Sequence, residues 1–272
     1  MTASIGVIGL GRMAQALVRP LVERGIFAAS DCIGVVARED SAQRLRTELP
    51  AGFTVVSASD PQAAQAWMAP VQLLAVKPQQ LDAVAAGVLP PADSTSSLVI
   101  SVLAGITLER LQHTFPGRVC VRAVPNTPCL VGEGLCGLAW GQGVTPEQQR
   151  WVRDVFAPVS EVLELPESRL DAFLALTSSG PAYVALIAEA LADGAVAAGL
   201  PRDQAHHLAQ RTLGGTAALL QQQKLHPAQL KDMVGSPGGT TMAAVRKLEQ
   251  AGLRSALIEA VLAATEHGSS LR

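Results

Sequence analysis

The sequence has few aromatic and few charged residues. Aromatic residues make up 3% of the 272 and charged residues 16%, against about 25% charged in an average soluble domain. Hydrophobic residues make up 49%, which argues against disorder. Because much of this apolar content is alanine, we expect a core built by closely approaching backbones rather than by rings. At roughly 100–200 residues per domain, the length allows one large domain or two ordinary ones.

Neither sign of charge is in excess. The 21 Lys and Arg oppose 23 Asp and Glu, divided as 12 against 12 through residue 160 and 9 against 11 after it. A nucleic-acid-binding domain needs a basic face, so we expect no nucleic-acid partner.

Long apolar runs are also missing. The longest stretch without charge, between Asp171 and Glu189, is interrupted by the sequence TSSGP at 177–181. A spanning helix needs ~18 or more apolar residues in a row, so we expect no membrane span. The start of the chain lacks the pattern of a signal peptide, and we predict a cytoplasmic protein.

Cysteine and histidine form no recognisable pattern. The four cysteines, at 32, 120, 129 and 136, include no C-x-x-C pair and no metal-ligand spacing. We expect reduced thiols in the core or in loops, the alternative being that Cys129 lies beside an active site. Five histidines have no acidic companion at a useful spacing, and we expect them on the surface or at helix ends: His113, His206, His207, His226 and His267. Neither a metal site nor a Ser-His-Asp site is therefore predicted.

The chain has two parts with different sequence patterns. Through about residue 160, β-branched runs predict strands at 4–8, 32–36, 53–56, 71–76, 98–102 and 119–124, with helices at 13–24, 41–49, 61–68 and 79–87. Continuous apolar strands alternating with helices indicate a doubly wound parallel α/β sheet. After residue 161, long Ala/Leu-rich stretches bounded by Gly-Pro predict an all-α domain. We therefore predict domains at 1–160 and 161–272.

The first predicted strand runs into the motif G-x-G-x-x-A and then a helix. Gly9 permits a tight turn, Gly11 lets a pyrophosphate approach the backbone, and Ala14 lets the helix pack against the strand. With Arg12 and Met13, these residues predict a phosphate site at a helix N-terminus. The alternative is a glycine turn without a ligand.

The end of the second strand predicts the nucleotide. NAD enzymes place Asp or Glu there on the ribose 2′-OH, whereas this strand ends in Ala37 and Arg38. A small residue followed by arginine suits a 2′-phosphate. We therefore predict NADPH, with NADH possible, the alternative being that Arg38 is a solvated surface residue.

Three more loops follow predicted strands, where open α/β sheets bind ligands. Lys77 is the only lysine among the first 160 residues, and its neighbour Pro78 stiffens the loop. We predict that these loops face the cofactor or substrate, through Ala75, Val76, Lys77, Pro78, Ala104, Gly105 and Asn126. In the alternative, Lys77 is simply solvated.

A cluster in the second domain is suited to an anion. The sequence SPGGTT at 236–241 precedes a helix predicted over 242–248. Backbone N–H groups and hydroxyls at a helix start bind a carboxylate, which predicts a substrate site at Ser236, Gly238, Gly239, Thr240 and Thr241. The alternative is an ordinary helix cap, which needs a single Ser or Thr.

The sequence resembles the pyrroline-5-carboxylate reductase family along essentially its whole length. The resemblance rests on GLGRMAQAL at 9–17, AVKPQ at 75–79, VPNTP at 124–128, SGPAY at 179–183 and KDMVGSPGGTT at 231–241. It implies reduction of the C=N bond of 1-pyrroline-5-carboxylate to L-proline, the last step of proline biosynthesis, by NADPH or NADH. It also implies a Rossmann-like N-terminal domain and a C-terminal domain that forms a homodimer, with five dimers possible in a homodecamer.

The resemblance also implies residue roles. The phosphate turn falls on Gly9 to Ala14, and the substrate carboxylate falls on the loop at 236–241. Thr241 takes the position proposed to donate a proton to the imine nitrogen; alternatively, it only orients an imine that binds already protonated. Two positions depart from the family pattern: Ser178 replaces a common glycine, and Met233 replaces a polar residue of some members.

Three other functions remain open at this stage. A hydroxyacid dehydrogenase should carry a lysine on its long helix, and no lysine lies between Lys77 and Lys224. Another imine reductase would share the two-domain plan. A cofactor-sensing regulatory protein would bind NADPH without needing the SPGGTT cluster.

Stretches such as 182–199 and 212–220 are apolar around more than one helical face. About 110 residues offer little interior to bury such helices, so we expect a large interface with a second copy.

Overall fold

The computed structural model describes residues 5–86, 88 and 97–270. The chain divides into two compact units. The first contains Met1–Ser178 and Ala264–Arg272, and the second contains Ser179–Ala263.

The first unit is built on an eight-stranded sheet in the order β3-β2-β1-β4-β5-β6-β7-β8. Neighbouring strands are parallel except for β6 and β7, which pair antiparallel. The strands are β1 Ile5–Ile8, β2 Cys32–Val36, β3 Thr54–Ser57, β4 Val71–Leu74, β5 Leu98–Ser101, β6 Val119–Pro125, β7 Gly134–Trp140 and β8 Ser160–Glu164. The predicted doubly wound α/β fold is confirmed.

Helices cover this sheet. They are α1 Arg12–Glu23, α2 Glu39–Glu48, α3 Ala63–Met68, α4 Leu81–Ala85, α5 Leu108–Thr114, α6 Pro146–Phe156 and α7 Leu170–Thr177. Successive side chains of a strand point to opposite faces, and the buried residues accordingly form two clusters. On β1, Ile5 and Val7 belong to one cluster and Ile8 belongs to the other. Both faces of the sheet are thus buried, which explains why the strand sequences are continuous apolar runs. Gly87, at the end of the helix predicted over 79–87, lies outside the described residues.

The sheet continues past residue 160. β8 spans Ser160–Glu164 and pairs with β7 from Gly134 to Leu138, and α7 follows it within the same unit. The division by packing falls between Ser178 and Ser179, later than the predicted boundary between 160 and 161. No strand was predicted after Glu161, and β8 shows that this prediction is wrong. The five residues of β8 include two glutamates and so lack a long apolar run.

The second unit is helical, as predicted. It contains α8 Gly180–Ala197, α9 Arg202–Gln223, α10 Pro227–Val234, α11 Thr240–Gln250 and the first part of α12 Leu253–Ser270. Pro181 lies in the first turn of α8, where a missing N–H costs no hydrogen bond. Pro201 is the N-cap of α9. Gly199 follows α8 with φ +106°, a left-handed conformation that favours glycine.

In the described part of the chain, one helical run is long and apolar enough to cross a membrane, by length and composition only. The run Glu167–Ala197 has 31 residues and a window of mean hydropathy 1.4, of which 22% is buried. It includes the junction at which α7 ends and α8 begins, at Ser178 and Ser179. Apolar helices that pack on a partner chain meet the same criterion, so this run alone does not place the chain in a membrane.

A buried arginine ties several elements of the first unit together. The Arg122 side chain, on β6, is fully buried. Its guanidinium lies 3.3 Å from Glu167 Oε1 and 3.1 Å from Asp171 Oδ1. Glu167 Oε1 also accepts a hydrogen bond from the Leu108 N–H at 2.7 Å, and Asp171 Oδ2 accepts one from the Ser269 hydroxyl at 3.2 Å. The network therefore joins β6 to α5, α7 and the end of α12.

Candidate functional site

The turn between β1 and α1 has the geometry of a phosphate site. Gly9 has φ +93°, and a Cβ there would lie 2.8 Å from the Ala75 carbonyl oxygen, so only glycine fits. Gly11 is the N-cap of α1, and a Cβ on it would meet no described atom within 4 Å. No side chain of the described residues caps this helix. Its first N–H groups are therefore available to an anion, and the buried Ala14 lets α1 lie close to the sheet.

A cavity of about 1280 Å³ extends from this turn along the sheet edge. Pockets for drug-sized ligands run roughly 300–1,000 Å³, so this one is large enough for a dinucleotide. Of the predicted residues, it brings together Gly9, Gly11, Ala75, Val76 and Lys77. The other predicted cofactor residues are not on its wall: Arg12, Met13, Ala14, Arg38, Pro78, Ala104, Gly105 and Asn126.

The loops after β4 and β5 lie at neighbouring strand ends. Lys77 is exposed and lines the cavity, and its backbone N–H donates to Gln80 Oε1 at 3.2 Å. Gly105, after β5, has φ +74° and turns the chain away from the strand. Since β4 and β5 are parallel neighbours, both loops lie on the ligand-binding edge of an open α/β sheet.

Arg38 does not line the cavity, and its predicted contact with the 2′-phosphate stays a prediction. It is the N-cap residue of α2, and its side chain is 75% exposed, with Nε 3.3 Å from Asp40 Oδ1. The cavity wall beside β2 is formed instead by Ala37, Ser41 and Arg44. Ser41 and Arg44 were not predicted as site residues, although their spacing of three residues places them on one helical face.

Asn126 has a structural role that the sequence analysis did not foresee. Its side chain is almost fully buried; Nδ2 donates to the Thr177 carbonyl at 3.0 Å, and Oδ1 accepts from the Leu135 N–H at 2.8 Å. Asn126 thus joins the ends of β6 and α7 to the start of β7. That its carboxamide holds the nicotinamide or ribose stays a prediction. Ser178, where the family often has glycine, donates to the Pro125 carbonyl at 3.1 Å and strengthens the same junction.

In the second unit, the loop at 236–241 folds into a compact turn before α11. The Gly239 N–H donates to the Ser236 carbonyl at 2.9 Å, and Gly238 has φ +70°. A Cβ on Gly239 would lie 2.3 Å from Ser236 Oγ, so the hydroxyl occupies the space that a side chain would need. Gly239 caps α11 without a side-chain hydrogen bond, and Thr240 and Thr241 form the first turn. Hydroxyls and free N–H groups therefore converge, as a carboxylate site requires.

Catalysis by histidine, by a cysteine thiol or by a metal has little support. All five histidines are exposed, as predicted. The four cysteines are buried and free, and burial raises the pKa of both Cys32 and Cys120 to about 12. Burial also raises the pKa of Cys129 and Cys136, so these thiols are poor nucleophiles. Within the described part of the chain, no group of three or more His, Cys, Asp or Glu could hold a metal.

Family models match both parts of the chain. Residues 4–105 match the coenzyme F420-dependent NADP oxidoreductase model, and residues 167–271 match the pyrroline-5-carboxylate reductase dimerisation model. Together with the Rossmann-like sheet and its glycine turn, the first match defines an NAD(P)-dependent oxidoreductase.

Relatives of full length define the family. The pyrroline-5-carboxylate reductase of Synechocystis sp. is 45% identical over 271 residues, covering 100% of this chain and 99% of the relative. The chain belongs to the pyrroline-5-carboxylate reductase family. Among solved structures, the Plasmodium falciparum enzyme with NADP bound has a TM-score of 0.87 at 27% identity, covering 99% of this chain and 98% of its own. The pyrroline-5-carboxylate reductase of Coxiella burnetii has a TM-score of 0.82 at 31% identity, covering 100% of this chain and 99% of its own.

Proposed function

We propose that the phosphate turn and the SPGGTT loop serve one reaction: reduction of the C=N bond of 1-pyrroline-5-carboxylate to L-proline, the last step of proline biosynthesis. The observation that carries the proposal is the family relationship over the full length, at 45% identity. Both sites fit it, because the reaction needs a dinucleotide on one side and a small carboxylate-bearing imine on the other.

The cofactor residues fit a dinucleotide. The backbone from Gly9 to Gly11 and the first turn of α1 would bind the pyrophosphate, and the loops at 75–78 and 104–105 would flank the nicotinamide. When bound, the nicotinamide supplies the hydride. Arg12 and Met13 do not line the cavity, but they lie in the first turn of α1 and would contact the pyrophosphate there. For the nucleotide, we propose NADPH over NADH, because Ala37 and Arg38 replace the acidic residue that would bind a ribose 2′-OH.

The substrate residues fit an amino-acid carboxylate. Ser236, Gly238, Gly239 and Thr240 would bind it through N–H groups and hydroxyls. Thr241, one residue further along α11, would place its hydroxyl at the imine nitrogen. A threonine hydroxyl is a weak acid, so its main role would be to orient an imine that is already protonated while hydride reaches the adjacent carbon.

Thr241→Val is expected to lower kcat by ~10-fold or more, the low end for a lost proton-handling group. The measurement is NADPH oxidation at 340 nm with saturating pyrroline-5-carboxylate. Thr241→Ser, which keeps the hydroxyl, is the matched control and should retain most of the activity. Full activity of the valine variant would exclude the role. In the wild-type protein the same assay separates the alternatives, because a cofactor sensor would bind NADPH without turnover.

The dimerisation model supports self-association of the second unit. Large side chains on α8 are exposed within a single chain, among them Val184, Leu186 and Leu191. We propose a homodimer that covers them, with a homodecamer of five dimers as a further possibility of assembly. The cytoplasmic location stays a prediction.

A further inference from the structure

The end of the cavity beside β2 is lined by residues that the family motifs do not include. Ala37 directly follows β2, and Ser41, Arg44 and Leu45 come from α2. Ala42 and Leu45 are almost completely buried and hold α2 against the sheet. Ser41 and Arg44 are therefore carried on a fixed helix rather than on a loop, and their spacing places both on one face.

The charges around this end are already partly paired. Glu39 Oε1 lies 3.0 Å from Arg46, whose Nε also donates to the Val55 carbonyl at 2.8 Å. Asp40 lies 3.3 Å from Arg38. Both carboxylates that would repel a phosphate thus have an arginine partner, and Arg46 is also held to β3 through the Val55 carbonyl.

Arg44 is held less firmly than Arg46. Its nearest carboxylate, Glu48 one turn further along α2, lies 3.7 Å away, and the Arg44 side chain is 66% exposed. Exposed pairs of this kind contribute little, so the guanidinium can turn to an anion in the cavity without losing a strong interaction. It is the arginine of α2 that lines the cavity.

We propose that Arg44, assisted by the Ser41 hydroxyl, binds the 2′-phosphate of NADPH and so determines nucleotide specificity. The inference rests on the NADPH preference proposed above and extends it. The adenosine ribose of a dinucleotide lies at the carboxyl end of the second strand of such a sheet, where Ala37 leaves room for a phosphate. Guanidinium N–H groups match phosphate oxygens in geometry and charge. Arg38 contributes mainly by neutralising Asp40.

Calorimetric titration with NADP⁺ and NAD⁺ tests the proposal without relying on turnover. Arg44→Ala should weaken NADP⁺ binding by about 10-fold or more, as expected for a charge-assisted contact, and leave NAD⁺ binding unchanged. Ser41→Ala should weaken NADP⁺ binding less. Arg38→Ala should also weaken it, because Asp40 would then face the phosphate unpaired.

The matched control is Arg150→Ala, which removes an exposed arginine of α6 and should change neither affinity. Unchanged NAD⁺ binding by the Arg44 variant also shows that it is folded. Equal weakening for both nucleotides, or no weakening for NADP⁺, would overturn the proposal. Because the titration omits pyrroline-5-carboxylate, a protein that binds NADP⁺ as expected yet fails to reduce the imine would contradict the proposed function and leave this inference standing.

Discussion

Arg122→Ala is expected to lower the free energy of unfolding by about 3–5 kcal/mol, the range for breaking a buried ion pair from one side. The loss arises because the buried carboxylate of Asp171 would lose the ion pair that the guanidinium makes with it at 3.1 Å. Glu167 would also lose a contact at 3.3 Å while still accepting from the Leu108 N–H. Urea unfolding followed by circular dichroism, at one fixed protein concentration, gives the value.

Arg153→Ala is the control for this prediction. Arg153 also pairs with a carboxylate, lying 2.5 Å from Glu164, but both side chains are partly exposed, at 37% and 43%. Glu164 keeps its hydrogen bond from Trp140 Nε1 at 2.8 Å, so the loss should stay below about 1 kcal/mol. If both variants lost the same free energy of unfolding, the buried ion pairs of Arg122 would stabilise the protein no more than an exposed pair does.

Leu186→Glu is expected to convert the protein from an oligomer to a monomer. Leu186 lies on α8 and is 66% exposed in the single chain, so the substitution should not disturb folding of the second unit. A buried, unpaired carboxylate costs several kcal/mol, and a symmetric interface would bury two of them. Sedimentation at micromolar concentration should show the wild-type protein as a dimer or larger assembly and the variant as a monomer.

Ala157→Glu is the comparison, since it adds the same charge to an exposed position of the first unit and should leave the assembly intact. A stable wild-type monomer at micromolar concentration would contradict the proposed interface. So would a Leu186→Glu protein that sediments with the same mass as the wild type.

Much of the first unit could be predicted because its parallel strands are buried on both faces. The run predicted at 32–36 agrees with β2 Cys32–Val36, and the other predicted strands overlap β1 and β3–β6 with small shifts at their ends. The antiparallel β7 was missed: its sequence GLCGLAW contains two glycines, which weaken a strand pattern. No local signal marks it, because its pairing with β6 is a long-range contact.

The glycine turn and the SPGGTT loop were predicted because a local backbone conformation determines each. Arg122, Asn126 and Arg44 show the limit of that reasoning. Arg122 and Asn126 follow one another closely on and after β6, yet their side chains are buried against α7 through partners more than forty residues away. Arg44 and Arg38 differ in whether they face the cavity, which depends on how α2 packs on the sheet.

The most direct test of the central claim is to follow label from the cofactor to the product. Purified protein is supplied with pyrroline-5-carboxylate and NADPH carrying deuterium at both C4 positions, and proline is analysed by mass spectrometry. The proposed reaction predicts one deuterium in proline, at the carbon of the former C=N bond, with one NADPH consumed per proline formed. Binding of NADPH without imine-dependent oxidation, or proline without deuterium, would contradict it.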